Sequence, residues 1–460
     1  MKRYINRIFI LFAGVMVICS LHSCKKLIEV DPSGSSLLTT NVFTDSVTLQ
    51  SALAGMYVNF APQAAAYRCS LSTLPAFSAD EMHYVGNTYD PFINNALLSS
   101  DGYAAYIWSN SYTAIYNSNS IIEGVNTSTA ISTRFRNQAL AEARFIRAFC
   151  YFYLVNLYGE VPLVLSTDVK QNSALARSPS AAVYAQILDD LKFAQSNLPS
   201  DYSISAGSRT RINKWIATAM LARVNLYTGN WADAEAQATA VISNTALFSL
   251  PADLSRVFTP TSTEAIWQLY NDTNGFTWYA STVLPNAVTK IPTHVLNPAL
   301  TSAFETGDAR KSNWTNTLVY NGTTYNYPYK YKSLTSGANT EYYTMLRLAE
   351  QYLIRAEARV KQSNFAAALA DVNIIRRRAG LPAGTAGTAT DLMAAIMQER
   401  RVEFNCEWGH RWLDLKRTGM VDAVIGTLKP GFWKPSAALY PIPAGEITRD
   451  VNLTQNPGYN

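Results

Sequence analysis

A helix–turn–helix pattern written twice constrains this chain most. Ala222, Trp231 and Ala234 recur at one constant offset as Ala356, Phe365 and Ala368. Each set spans a helical run, a short turn (Thr228-Gly229-Asn230, then Gln362-Ser363-Asn364) and a second helical run. Small alanines let two helices approach closely, and the aromatic after the turn plugs the pair. A hairpin of this kind leaves one face uncovered, so it buries a core only by stacking on others. The two copies lie too far apart for neighbouring short repeats, which makes them units of a larger helical scaffold.

Tetratricopeptide-like helical hairpins follow this logic, and the rest of the chain supplies material for them. The clearest helical pattern runs over residues 134–158, with Leu140, Phe145, Phe149, Phe152, Tyr153 and Leu157 at three- and four-residue steps. Gly159 and Pro162 end it. Similar periodicity predicts helices over 180–198, 212–228, 231–244, 344–361, 365–380 and 389–407. Two loop-rich stretches, 61–105 and 245–343, interrupt them. The second carries strand-like runs at Ala265–Tyr270 and Tyr325–Tyr331. Alternation would put Tyr325, Tyr327, Tyr329 and Tyr331 on one strand face, either open to ligand or packed on the helices. Irregular segments this long are usually functional surfaces. Helices flank the second stretch on both sides, so a single interleaved body over 41–460 is expected. The fold class is mainly α, with an irregular, loop-rich half containing short strands.

The N-terminus speaks to compartment. Lys2, Arg3 and Arg7 precede an almost wholly apolar run from Ile8 to Leu21, and Leu21-His22-Ser23-Cys24 follows. This is the layout of a secretory signal peptide over residues 1–23. Cys24, after a small residue, also resembles the lipidated cysteine of a bacterial lipobox. Several acyl chains, at about 0.8 kcal/mol per buried CH₂, would hold the body at a membrane without a spanning helix. The polar stretch 24–40, with Pro32, Ser33, Gly34, Ser35 and Ser36, reads as a flexible tether.

Removing residues 1–23 takes the formal net charge from +5 to +2, which argues against a nucleic-acid partner. The triplet Arg376-Arg377-Arg378 precedes Ala379-Gly380 and reads as the cation-rich last turn of a helix. Cys69, Cys150 and Cys406 are widely spaced and odd in number, neither a disulfide framework nor a metal cluster. Cys150 reads as a small buried hydrophobe, and one bridge among the three stays open.

Several passages together resemble one family. They are Phe43-Thr44-Asp45 leading into Ala52-Leu53-Ala54-Gly55-Met56-Tyr57, the Asp80-Glu81 pair, and Ala141–Ala148 running to Tyr158-Gly159-Glu160-Val161-Pro162. Glu399-Arg400-Arg401-Val402-Glu403-Phe404 leads to Arg411-Trp412-Leu413-Asp414-Leu415-Lys416-Arg417. Tyr440-Pro441-Ile442-Pro443 and Asn456-Pro457-Gly458-Tyr459 close the series. In this order they resemble the SusD/RagB family of outer-membrane nutrient-binding lipoproteins of Bacteroidetes. The resemblance implies a helical body with four tetratricopeptide-like units and an irregular ligand-binding half. It also implies a lid on a SusC-like TonB-dependent transporter, capturing an oligosaccharide or other nutrient at the outer membrane, facing the cell exterior. A purely structural partner of the transporter, with little ligand affinity, is the alternative.

The signature charges Glu399, Arg400, Arg401 and Glu403 read as helix locks, and Arg411, Trp412 and Asp414 as their continuation. His83, His294 and His410 are isolated, without a metal motif, and no phosphate loop or nucleophile elbow is present. A binding protein without cofactor or metal is therefore expected, rather than an enzyme. Sugar binding asks for aromatic faces against flat C–H faces and for polar partners to hydroxyls. Trp278, Tyr279, Trp314 and Tyr320 in the second irregular stretch are candidates, with Trp278 and Trp314 favoured as an exposed platform. Asp80, Tyr84, Asn87 and Tyr89 are candidates because the resemblance places ligand contacts near the Asp-Glu segment. Trp108, Tyr112 and Tyr116 form a helical stripe that reads as core.

Overall fold

The computed structural model describes residues 42–61, 66–271, 274–287 and 290–459. The expected signal segment, Cys24 and the tether lie outside the described residues. Helix α1 (Ser46–Phe60) starts at Asp45, whose carboxylate accepts the Val47 and Thr48 N–H groups. After it come α2 (Ser70–Ser78), α3 (Gly102–Thr127) and α4 (Thr133–Tyr158). The C-terminal half of α4 is buried on almost every side, and Gly159 ends it in the left-handed region (φ +77°).

From α3 onward each helix packs on the next. The series continues through α5 (Ser180–Asn197), α6 (Lys214–Tyr227), α7 (Trp231–Ile242), α8 (Leu348–Lys361) and α9 (Phe365–Arg378), and α10 (Ala389–Glu403) closes it against α8 and α9. The stack is continuous in space although a long excursion separates α7 from α8 in sequence. The repeated motif explains the join. Ala222, Leu226, Ala234 and Ala238 meet Ile354 and Ala358 in one small core, covered by Trp231. Ala356, Val360, Ala368 and Val372 meet Leu392 and Ile396 in the next, beside Phe365. The turns match as well. Asn230 N–H donates to the Asn225 carbonyl at 2.9 Å and Asn364 N–H to that of Arg359 at 2.8 Å.

The irregular half holds three antiparallel two-stranded ladders: β1 (Met82–Tyr84) with β3 (His294–Leu296), β2 (Ala265–Leu269) with β6 (Tyr343–Arg347), and β4 (Thr315–Tyr320) with β5 (Thr323–Pro328). Asn321 and Gly322, both at positive φ, make the tight turn of the last. The structure differs from expectation in two places here. The stretch 61–105 contains α2, almost wholly buried and interrupted by Pro75, so it shows no apolar stripe to read. The tyrosines of 325–331 share no open face, because β5 ends at Pro328. Tyr327 and Tyr331 are buried, and Tyr331 packs among Phe258, Tyr279 and Tyr343.

The signature charges tie elements together across the molecule rather than along one helix. Glu403 receives Arg310, Arg347 and Arg378, and Arg347 also holds Glu264 and Glu407. Glu399 takes Arg310 and Arg376. Arg400 pairs with Asp414 at 2.7 Å, and Arg417, on α11 (His410–Arg417), reaches both Asp414 and Glu357. Cys69, Cys150 and Cys406 are buried free thiols, and Trp108 lies in the core beside Tyr158. Among the described residues no helix is long and apolar enough to cross a membrane.

Candidate ligand-binding cleft

Pairing of β1 with β3 brings two distant loops to one edge. Tyr84 lies opposite His294, and Val85 N–H donates to the Thr293 carbonyl at 2.8 Å. The chain then folds back over the Tyr84 ring at Gly86 (φ +138°), where a Cβ would stand 3.0 Å from that ring. A turn follows, with Asp90 N–H donating to the Asn87 carbonyl at 3.2 Å, and it carries Tyr89 back toward β1. The Tyr84 and Tyr89 rings meet edge to face at 4.9 Å, and Tyr89 meets Tyr103, from the first turn of α3, at 4.9 Å. Beneath them Phe77 of α2 stacks on Tyr89 at 5.2 Å and on His294 at 5.6 Å.

The cluster opens on a cleft of about 730 Å³ lined by Thr88, Pro91, Leu98, Ser100, Asp101, Tyr103 and Tyr106, among others. Tyr103 is 41 % exposed and Leu98 67 %. Asp101 caps α3 by accepting the Ala104 N–H at 2.8 Å. Burial raises the Tyr89 phenol well above its ordinary range, with Tyr103 adding to the effect, and pushes the His294 imidazole down to about 4. Both rings therefore act as neutral groups near pH 7. Lys429, just after α12 (Val421–Leu428), props the floor from below, donating to the Phe77 and Ser78 carbonyls and to Asn95 Oδ1 at 2.8–2.9 Å.

Of the residues singled out in the sequence, Tyr84, Asn87 and Tyr89 come together at this edge, Asn87 exposed and the two rings half-buried. Asp80 does not reach it. It is 1 % exposed and accepts from Arg411 at 2.8 Å and Arg401 at 2.5 Å, so its carboxylate is consumed in joining α10 and α11 to the floor. Trp314, expected on an exposed platform, is fully buried, its indole N–H donating to the Leu254 carbonyl and its face covered by Lys330. Tyr279 is buried against Tyr331 and Tyr343. Both lie in short helices whose other side is core, and the irregular sequence around them hid that. Trp278 is half-buried at the start of its short helix, and Tyr320 stands at the tip of the β4–β5 hairpin. The structure joins neither ring to the tyrosine cluster.

Phe77, Tyr103, Tyr106 and His294 were missed. Tyr103 and Tyr106 carry one readable signal, two tyrosines three residues apart after an Asp-Gly helix start. Phe77 and His294 carry none, since only tertiary pairing brings them here. Among the described residues no group of His, Cys, Asp and Glu could hold a metal ion.

Comparison with known proteins follows the same outline. The sequence model described as the SusD family matches residues 266–459, and one described as "Starch-binding associating with outer membrane" matches residues 30–226. A SusD-like protein P2 of Formosa agariphila is 27 % identical over 97 % of this chain and 98 % of its own. A SusD-like protein from Bacteroides fragilis superposes with a TM-score of 0.78 at 21 % identity, covering 91 % of this chain and 98 % of that one. A laminarin-binding SusD-like protein gives 0.76 at 23 % identity, covering 91 % of this chain and all of that one.

Proposed function

Because the chain belongs to the SusD/RagB family, we propose that it is a glycan-binding protein whose ligand lies across Tyr84, Tyr89 and Tyr103. The observation that carries this reading is the tyrosine cluster opening on a cleft with exposed polar groups at its rim. Aromatic faces take the flat C–H faces of sugar rings, while Asn87, Thr88 and Asp101 offer directional partners to hydroxyls. Its family consists of binding proteins rather than enzymes. In the same reading Cys24 carries the lipid anchor, the body sits at the outer membrane facing outward, and captured oligosaccharide passes to a SusC-like TonB-dependent transporter.

Calorimetry against a broad glycan panel tests the site. Tyr103→Ala should weaken binding at least tenfold while changing the melting temperature little, since that residue is 41 % exposed and lies outside the core. Tyr320→Ala, away from the cluster, should bind as the parent does. An absence of binding across the whole panel, with the transporter still co-purifying in detergent, would instead favour a structural partner.

A further inference from the structure

Resting on that reading, we infer that this cleft selects uncharged glycans and rejects uronic-acid and sulfated ones. The argument comes from where cations are missing. From residue 69 to residue 133, the stretch supplying α2, β1, the Tyr84–Asp90 turn and all of α3, the sequence contains no Lys or Arg. It does contain Asp80, Glu81, Asp90, Asp101 and Glu123. The stretch that leads toward β3, 257–289, has none either.

Of these acids, Asp101 lines the cleft and Asp90 lies exposed beside Pro91 on its wall. The cations beneath the floor are spent. Arg401 and Arg411 hold Asp80, and Lys429 holds the carbonyls of Phe77 and Ser78. Lys290 is exposed on the loop that leads into β3, and Arg449, on the helix whose first residue Ala444 donates its N–H to the Ser99 carbonyl beside the cleft, is paired with Glu446 at 2.8 Å.

Recognition of a uronate or sulfate calls for Arg or Lys in a fork or at close range. Here such a group would be set among carboxylates and tyrosine rings whose faces are electron-rich. Hydroxyl groups meet the opposite situation. Carboxylate oxygens accept from sugar O–H donors, and a vicinal pair can engage both oxygens of one acid. The cleft therefore matches a ligand that brings donors and flat C–H faces but no charge.

The full-length mature protein, titrated against matched panels of neutral oligosaccharides (α- and β-glucans, mannans, xylans) and anionic ones (oligogalacturonates, alginate and sulfated galactan fragments), tests this. Neutral ligands should bind with an affinity that changes less than twofold between 50 and 500 mM NaCl. Anionic relatives of the same length should bind at least tenfold more weakly. Asp90→Asn with Asp101→Asn, which keeps a side chain able to cap α3, should narrow that gap at least threefold, read as the ratio of neutral to anionic affinity within each protein. Anionic ligands that bind as tightly as neutral ones, or a gap that persists unchanged in the double variant, would overturn the charge argument and leave the site standing. Binding of neither panel would overturn the site itself.

Discussion

Asp80 and Glu81 are adjacent in sequence and opposite in charge state. Burial pushes the Asp80 carboxyl up, but hydrogen bonding and charge from Arg411, with Arg401 beside it, more than offset this and hold it below its ordinary value. Glu81 is buried just as deeply, accepts only the Cys406 N–H at 2.9 Å, and faces Asp80; burial, with Asp80 adding, pushes it up to about 8. The two act oppositely on stability. Asp80 contributes stability above the unfolded carboxylate range, lost as pH falls through its lowered value. Glu81 costs nothing below about pH 4.5, where folded and unfolded chains both hold the proton. Between there and about 8 the unfolded chain releases a proton that the fold keeps, so stability falls as pH rises. Glu81→Gln should remove that slope. The variant should match the parent near pH 4.5 and exceed it by roughly 2–4 kcal/mol at pH 8, at about 1.4 kcal/mol per pH unit. Denaturant titrations at pH 4.5, 6 and 8 measure the difference, and a variant that tracks the parent at all three would refute a protonated Glu81.

Helices with one apolar stripe and one wet face were legible residue by residue. The pattern over 365–380 became Phe365–Arg378, and that over 180–198 became Ser180–Asn197. The alanines marked both hairpins, though not the fact that the two touch directly. What escaped was structure without a two-faced pattern. α2 is apolar or small all round, so its nine residues read as loop, yet it forms the floor of the cleft. Trp314 looked available because it lies in irregular sequence, whereas the fold turns its indole inward. The candidate site was half legible for the same reason: Tyr84, Asn87 and Tyr89 share one turn, while Tyr103 and His294 arrive from other elements. The small-residue faces make a direct prediction. Ala356 is fully buried on α8 among Ala368, Val372 and Ile396 of the next two helices. Leucine there would push α9 and α10 away, costing about 1–3 kcal/mol. The urea midpoint should fall by that cost divided by the m-value, with little loss of helical circular dichroism, and an unchanged midpoint would mean the hairpins do not pack this closely.

Whether the irregular excursion is a separate domain or part of the stack is decided by charge as much as by apolar packing. Arg310 and Arg347 come from the excursion, Arg378 from the end of α9, and all three converge on Glu403 at the end of α10. Glu403 and Arg310 are completely buried and Arg347 nearly so, while the Arg378 side chain is 4 % exposed. The surrounding guanidinium groups overcome the effect of burial and hold the Glu403 carboxyl well below its ordinary value. Glu264, Glu407 and Lys330 extend the network on the excursion's side, and Asp80 with Arg401 and Arg411 extends it to the cleft floor. Charges removed from water this thoroughly stay favourable only while every partner is in place; deleting one member leaves the others uncompensated, at a cost of about 3–5 kcal/mol. Neither half can therefore open while the other stays folded, because opening would strand buried charge on both sides. Calorimetry of the protein should show one heat-absorption peak rather than two. Glu403→Gln should shift that peak down by several degrees without splitting it, and should weaken glycan binding only through the lowered stability. A Glu403→Gln profile resolving into two peaks, with α-helical signal surviving the first, would show instead that the excursion and the helical stack are independently stable units.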